Sequence, residues 1–130
     1  MRTRKMEQAF TLVEIMILVS IIALLAVITI PNLRHFRMTA NDRLAQATLR
    51  QISTAAETYK TDHNGVCPSD ENVLTPYLDT AYCAKSPISG YIYNCSGMST
   101  SGYTITATPV KVGSTGSSTQ AITTGGILNP

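Results

Sequence analysis

The sequence predicts an α+β fold, one long N-terminal helix followed by a small antiparallel β-sheet. Three observations predict it. Almost every residue from Phe10 to Ile30, FTLVEIMILVSIIALLAVITI, is apolar, and one, Glu14, is charged. Beyond that run an apolar pattern at helical spacing continues to Tyr59. The last third of the chain instead alternates aromatic and β-branched residues with polar ones, the period of a half-buried strand.

At about 1.5 Å of rise per residue, the apolar run is long enough to cross a hydrocarbon core about 30 Å thick. It is too long and too uniform for a soluble core helix. Glu14 distinguishes it from an ordinary anchor, because a carboxylate near the end of such a run is costly to desolvate unless it finds a partner. An ionisable group placed there is a candidate functional residue. With 130 residues, 44% of them hydrophobic, the chain has room for one small domain and one membrane segment.

Ahead of the run stand Arg2, Arg4 and Lys5, then Ala9 and Phe10-Thr11-Leu12-Val13-Glu14, and Pro31 closes it. This arrangement closely resembles the N-terminus of type IV pilins and type II secretion pseudopilins. The resemblance is specific over roughly the first third of the chain, and beyond Asn64 it is one of layout. It implies a leader, residues 1–9, removed by a prepilin peptidase between Ala9 and Phe10, with N-methylation of Phe10 and a role for Glu14 in assembly. One departure is Ala9, where the family almost always has Gly; a small residue still fits a tight protease subsite. A general secretory signal would be cut after the run, where Ile28-Thr29-Ile30-Pro31 makes a poor site.

The resemblance further implies a structural subunit; with no CxxCH for haem, no phosphate-cradling Gly-rich loop and no well-placed Ser/His/Asp or Cys/His set, no enzyme activity, cofactor or metal is expected. The subunit is expected to form a homopolymer in a helical filament, with the prepilin peptidase, an assembly platform protein and an assembly ATPase as partners. It would cross the inner membrane once before assembly and then join an extracellular filament. A pseudopilin, forming a periplasmic piston for protein secretion, shares the same N-terminus. A signal-anchored monomer is the third reading, and gives Glu14 no reason to sit in the run.

Net charge is +2, from ten basic and eight acidic residues. Loss of residues 1–9 removes three of the former and one of the latter, leaving seven of each. A near-neutral chain argues against nucleic acid as a partner. The part after the run is poor in large apolar residues and rich in Ser, Thr and Gly, so its core must be small and open to covalent help. Cys67, Cys83 and Cys95 all follow the run. Basic residues on both sides, Arg2, Arg4 and Lys5 against Arg34 and Arg37, leave the orientation open by charge alone. The pilin-like leader decides it, placing the cysteines outside the inner membrane, where disulfides persist. Cys83 and Cys95 bracket the loop entering the first strand and are the expected pair; pairing of Cys67 with either is the alternative.

In chain order, residues 10–30 are the hydrophobic helix, 31–64 its amphipathic continuation and 65–130 a small β-rich head. Pro31 lacks an amide proton and crowds the preceding turn, so the helix is expected to kink or locally open there. The stripe that resumes comprises Leu33, Phe36, Ala40, Leu44, Ala47, Ile52, Ala55, Ala56 and Tyr59, predicting one helix from about Thr11 to His63 capped by Asn64-Gly65. His35 and His63 lack neighbours at metal-ligand spacing and read as solvated helix residues. Ser69 reads as the N-cap of a short turn ended by Pro76, with Leu74, Tyr77 and Leu78 anchoring a loop from Thr75 to Pro87. Asp70, Glu71 and Asp79 lack the alternation of a calcium loop and read as solvated surface.

Residues 90–95 and 102–107 form an expected hairpin across the turn-forming Ser96 to Ser101, and Pro109 confines the second strand to an end or edge. Gln120 to Thr123 and Ile127-Leu128 flank Gly125-Gly126 as a further strand or tight hairpin. Gly113 to Thr119 reads as a low-complexity mobile loop. Asn94-Cys95-Ser96 matches a glycosylation sequon in form only. The tyrosines at 77, 82, 91, 93 and 103 read as core and sheet-face residues.

Overall fold

The computed structural model describes residues 9–83 and 87–129. The chain divides into two compact units, Met1–Arg34 and His35–Pro130. Helix α1, Leu12–Asp62, begins in the first unit and ends in the second, and Pro31 lies within it. In the first unit every large apolar residue from Phe10 to Ile30 is exposed.

In the second unit, α1 stops on a left-handed cap. Asn64 and Gly65 adopt φ of 55° and 88°, and the Gly65 N–H donates to the Lys60 carbonyl at 2.8 Å. This six-residue closure satisfies a carbonyl the helix would otherwise leave bare, and Asn tolerates the left-handed position better than other non-glycine residues. A short 3-10 helix, Glu71–Leu74, follows. Its N-cap is Asp70 rather than the expected Ser69: the Asp70 carboxylate accepts from both the backbone N–H and the side-chain amide of Asn72. Leu74 and Leu78 are buried and Tyr77 half-buried, while residues 84–86 of the expected connecting loop lie outside the described residues.

The sheet comprises β1 (Tyr91–Ser99), β2 (Gly102–Pro109), β3 (Gln120–Thr123) and β4 (Ile127–Asn129), antiparallel in sequential order. Most of the segment expected as a turn, Ser96 to Ser101, is strand. The reversal takes only Thr100 and Ser101, because β1 carries a bulge: Asn94 pairs with Thr106 but Gly97 with Thr104, so Cys95 and Ser96 together oppose Ile105. The Asn94 side chain accepts from the Ser96 N–H at 2.8 Å and holds the bulge. The bulge also changes which residues face inward, from Tyr91 and Tyr93 before it to Met98 after it. β3 and β4 form the second hairpin across residues 124–126, with Gly125 and Gly126 at positive φ.

One core joins helix to sheet. Ala45, Leu49, Ile52, Ala55 and Ala56 of α1 form a single buried cluster with Tyr91, Tyr93, Tyr103, Ile105 and Ile122, closed by Cys67, Leu74 and Leu78. The expected stripe is thereby corrected. Leu33, Phe36, Ala40, Leu44 and Ala47 are exposed, whereas Ala45 and Leu49 carry the contact. At about 100° per residue the first five lie on one side of the helix and Ala45, Leu49, Ile52 and Ala56 on the other, so the sequence holds two apolar stripes and the sheet covers one.

Gly113 to Thr119 is likewise not a free loop. Val112 and Gly116 form an isolated parallel bridge, the Asn41 side chain donates to the Thr115 carbonyl at 2.9 Å, and the Ser117 N–H donates to Asp42 at 3.0 Å. Low complexity describes side chains, whereas this segment is held through its backbone. Gly116 must be small, because a Cβ there would lie 2.6 Å from Cε2 of the Tyr91 ring.

Candidate functional site

The residues singled out in the sequence fall into two groups. In the first unit, Ala9 and Phe10 precede the helix and are exposed, Phe10 to 77%. Thr11 immediately precedes the helix, and its hydroxyl accepts from the Glu14 N–H at 3.2 Å, while its carbonyl accepts from the Ile15 N–H. Thr11 is thus the N-cap and Glu14 the third helical residue, where a carboxylate interacts favourably with the positive end of the helix dipole.

Along the apolar run, the polar side chains other than Glu14 are satisfied locally. Ser20 donates to the Met16 carbonyl at 2.7 Å and Thr29 to the Leu25 carbonyl at 2.8 Å. Such back-bonding lets a hydroxyl enter an apolar medium without an orphaned donor. Among the described residues the Glu14 carboxylate has no hydrogen-bond or ion-pair partner. The run is long and apolar enough to cross a membrane by length and composition, and none of its most apolar 18-residue window is buried. Pro31, at its end, leaves the carbonyl one turn earlier without an N–H donor.

In the second unit, two carboxylates of α1 fasten the head. Asp42 accepts from the Tyr91 hydroxyl at 2.6 Å and from the Ser117 N–H. Partial burial pushes its carboxyl up, but the bonds from Tyr91 and Ser117 outweigh that and hold it below the usual carboxylate range. Glu57 accepts from the Gly125 N–H at 2.8 Å and from the Tyr103 hydroxyl at 2.9 Å, and pairs with Lys60 at 3.5 Å. The Gly125 bond is the main reason its carboxyl also lies below the usual range. Tyr103 in turn meets the buried Ser53 hydroxyl at 2.7 Å, and burial above all pushes the phenol up to about 12. Each network spends its polar atoms on holding helix to sheet.

Cys83 and Cys95 form a disulfide with Cα atoms 5.8 Å apart, and Cys67 is a free, buried thiol whose N–H donates to Thr100. The Cys83 N–H also donates to Glu71 at 2.8 Å. His63 is exposed and stacks on Tyr59 with ring centroids 3.9 Å apart, and His35 is exposed. No group of three His, Cys, Asp or Glu able to hold a metal occurs among the described residues. The fastening roles of Asp42 and Glu57 carry no sequence signal. Nothing in their spacing distinguishes them from solvated helix carboxylates, since both partners lie far along the chain.

No known family model matches the chain. Over 57 residues it is 42% identical to the type IV wide pilus major component PilA4 of Thermus thermophilus, covering 44% of each chain. It is 29% identical over 93 residues to the type II secretion system core protein G of Aeromonas hydrophila, covering 68% of this chain and 64% of that one. The competence protein ComGC of Bacillus subtilis is 33% identical over 63 residues, 48% of this chain and 64% of its own. The matches span less than two thirds of each relative's length.

Proposed function

We propose that this chain, which is similar to a type IV wide pilus major component, a type II secretion system core protein and a competence protein, is a structural subunit of a type IV pilus-like filament. The observation that carries the reading is the uncovered apolar run with one unpartnered carboxylate in its first turn. Such a surface needs either lipid or other helices, and Glu14 gives the second alternative a purpose. The subunit waits in the inner membrane by its N-terminal helix, then exchanges lipid contacts for helix contacts in the filament interior.

In this reading the prepilin peptidase cuts between Ala9 and Phe10, and methylation of the Phe10 amine preserves its positive charge. Filament packing strips water from Glu14. A stagger of about 6 Å, four residues of helical rise, brings the carboxylate of one subunit to the α-amine of the next, compensating both charges and setting the axial register. The platform protein and ATPase that would extract the subunit are partners inferred from the relatives.

A second reading, a short periplasmic pseudopilus, is supported by the 93-residue match to the secretion protein. Electron microscopy of sheared surface material, with mass spectrometry of any fibre, separates the two. Long surface fibres built of this chain support the pilin, and surface material without such fibres favours the pseudopilin.

A further inference from the structure

The stripe that the sheet leaves uncovered has a distinctive chemistry. Phe36, Ala40, Leu44 and Ala47 are exposed, Phe36 to 69% and Leu44 to 51%, and at about 100° per residue they share an arc about 120° wide with Arg43 and Arg50. The two arginines are two turns apart, about 10 Å along the axis. Among the described residues neither meets a carboxylate within ion-pair distance; the ion pair present is Lys60 with Glu57. The acidic residue between positions 33 and 56 is Asp42, and its carboxylate already serves Tyr91 and Ser117. An apolar strip flanked by unneutralised guanidiniums therefore faces outward.

Elsewhere on the same head lies its complement. Residues 66–83 carry Asp70, Glu71 and Asp79 and no Lys or Arg. The Asp70 and Glu71 carboxylates already serve Asn72 and the Cys83 N–H, whereas Asp79 is exposed and has no hydrogen bond or ion pair among the described residues. The same segment carries two exposed apolar residues, Val66 and Pro76. The arginines and Asp79 are opposite in sign, yet among the described residues no ion pair joins them within one chain. The geometry points to an interface between copies of this chain, in which the Phe36 to Arg50 stripe of one subunit docks on the Asp70 to Asp79 segment of its neighbour. This rests on the filament reading above and places a charge-matched contact in the head region, apart from Glu14. An anionic membrane surface would also attract the arginines, but would have no use for Asp79.

Charge reversal in the full-length chain tests it. R43E/R50E is expected to reduce the yield of sedimentable fibres at least about five-fold, since like charges brought together across an interface are strongly unfavourable. Subunit level, membrane insertion and head melting temperature should not change. D79R should show the same loss, and combining R50E with D79R should restore yield to within about two-fold of wild type. R50C/D79C should give an intermolecular disulfide ladder in fibres on non-reducing gels. Wild-type yield from R43E/R50E, or failure of D79R to rescue R50E, overturns the interface and leaves the filament reading standing. If the wild-type chain forms no fibre of any length, that reading fails and the interface falls with it.

Discussion

The Tyr91 hydroxyl donates to the Asp42 carboxylate at 2.6 Å, joining the first strand to the middle of the helix across 49 residues of chain. The same hydroxyl lies 3.2 Å from the Ser118 carbonyl, so one phenol holds helix, strand and the 113–119 segment together. A bond from a neutral donor to a carboxylate, partly shielded from water, is among the stronger single contacts available to a small head. Tyr91→Phe keeps the buried ring and removes only these bonds. It is expected to lower head stability by about 1–2 kcal/mol in denaturant titration, with native-like near-UV circular dichroism. An unchanged midpoint would show that Ser117 alone keeps Asp42 in place.

Stability should fall at both ends of the pH scale, for different groups. The carboxyls of Asp42 and Glu57 lie below their usual range when folded, so their contribution is present above the unfolded values of about 3.9 and 4.3 and is lost as pH falls through the folded ones. Tyr103 behaves in the opposite sense. Its folded value of about 12 exceeds the ordinary 10, so its contribution is present below pH 10 and is lost as pH rises toward 12. Urea midpoints are expected to form a plateau from about pH 5 to 9. Asp42→Asn should reduce the acid-side loss to the part that Glu57 contributes, and should also soften the alkaline side, because the Asp42 carboxylate helps hold the Tyr91 phenol above its ordinary value.

Leu49 and Leu44 separate the two stripes. Leu49 is fully buried, so Leu49→Ala should cost about 2–5 kcal/mol through lost burial and the cavity left behind. Leu44 is 51% exposed, and Leu44→Ala should change the midpoint by less than about 0.5 kcal/mol in the dispersed subunit. Equal losses would mean that the sheet covers both faces.

The Cys83–Cys95 bond closes a short loop, a sequence separation of 12. On the chain-entropy estimate it stabilises the head by about 3 kcal/mol. Reduction, or the C83S/C95S pair, should lower the denaturant midpoint accordingly. Alkylation under native conditions should leave the buried Cys67 unlabelled; a modified Cys67 would show that the head opens readily.

Assembly and insertion should separate at Glu14. Intact mass of fibre subunits is expected to begin at Phe10 with one added methyl group. Glu14→Ala should yield a processed, membrane-inserted subunit that enters fibres only alongside wild type. Its capping contribution, about 0.3–1 kcal/mol, is too small to abolish insertion. Normal fibres from Glu14→Ala alone would reduce Glu14 to that capping role.

The sequence by itself determined whatever is local or periodic. The membrane-length run, the long helix, its Asn64-Gly65 stop and the period-two strands are written in neighbouring residues, because rise per residue, left-handed φ and side-chain alternation are properties of short segments. It also marked Glu14 by contrast with its surroundings. Only the tertiary structure decided which of two apolar stripes the sheet would cover, since Leu44 and Leu49 are equally apolar and differ only in which side of the helix they occupy. The bulge at Cys95 and Ser96 and the docking of Gly116 under Tyr91 belong to the same class. So do the tasks of Asp42 and Glu57, whose partners Tyr91 and Gly125 come from distant strands and turns. A hydrogen bond or a packed face between distant segments depends on where the fold brings them, and no spacing along the chain records that.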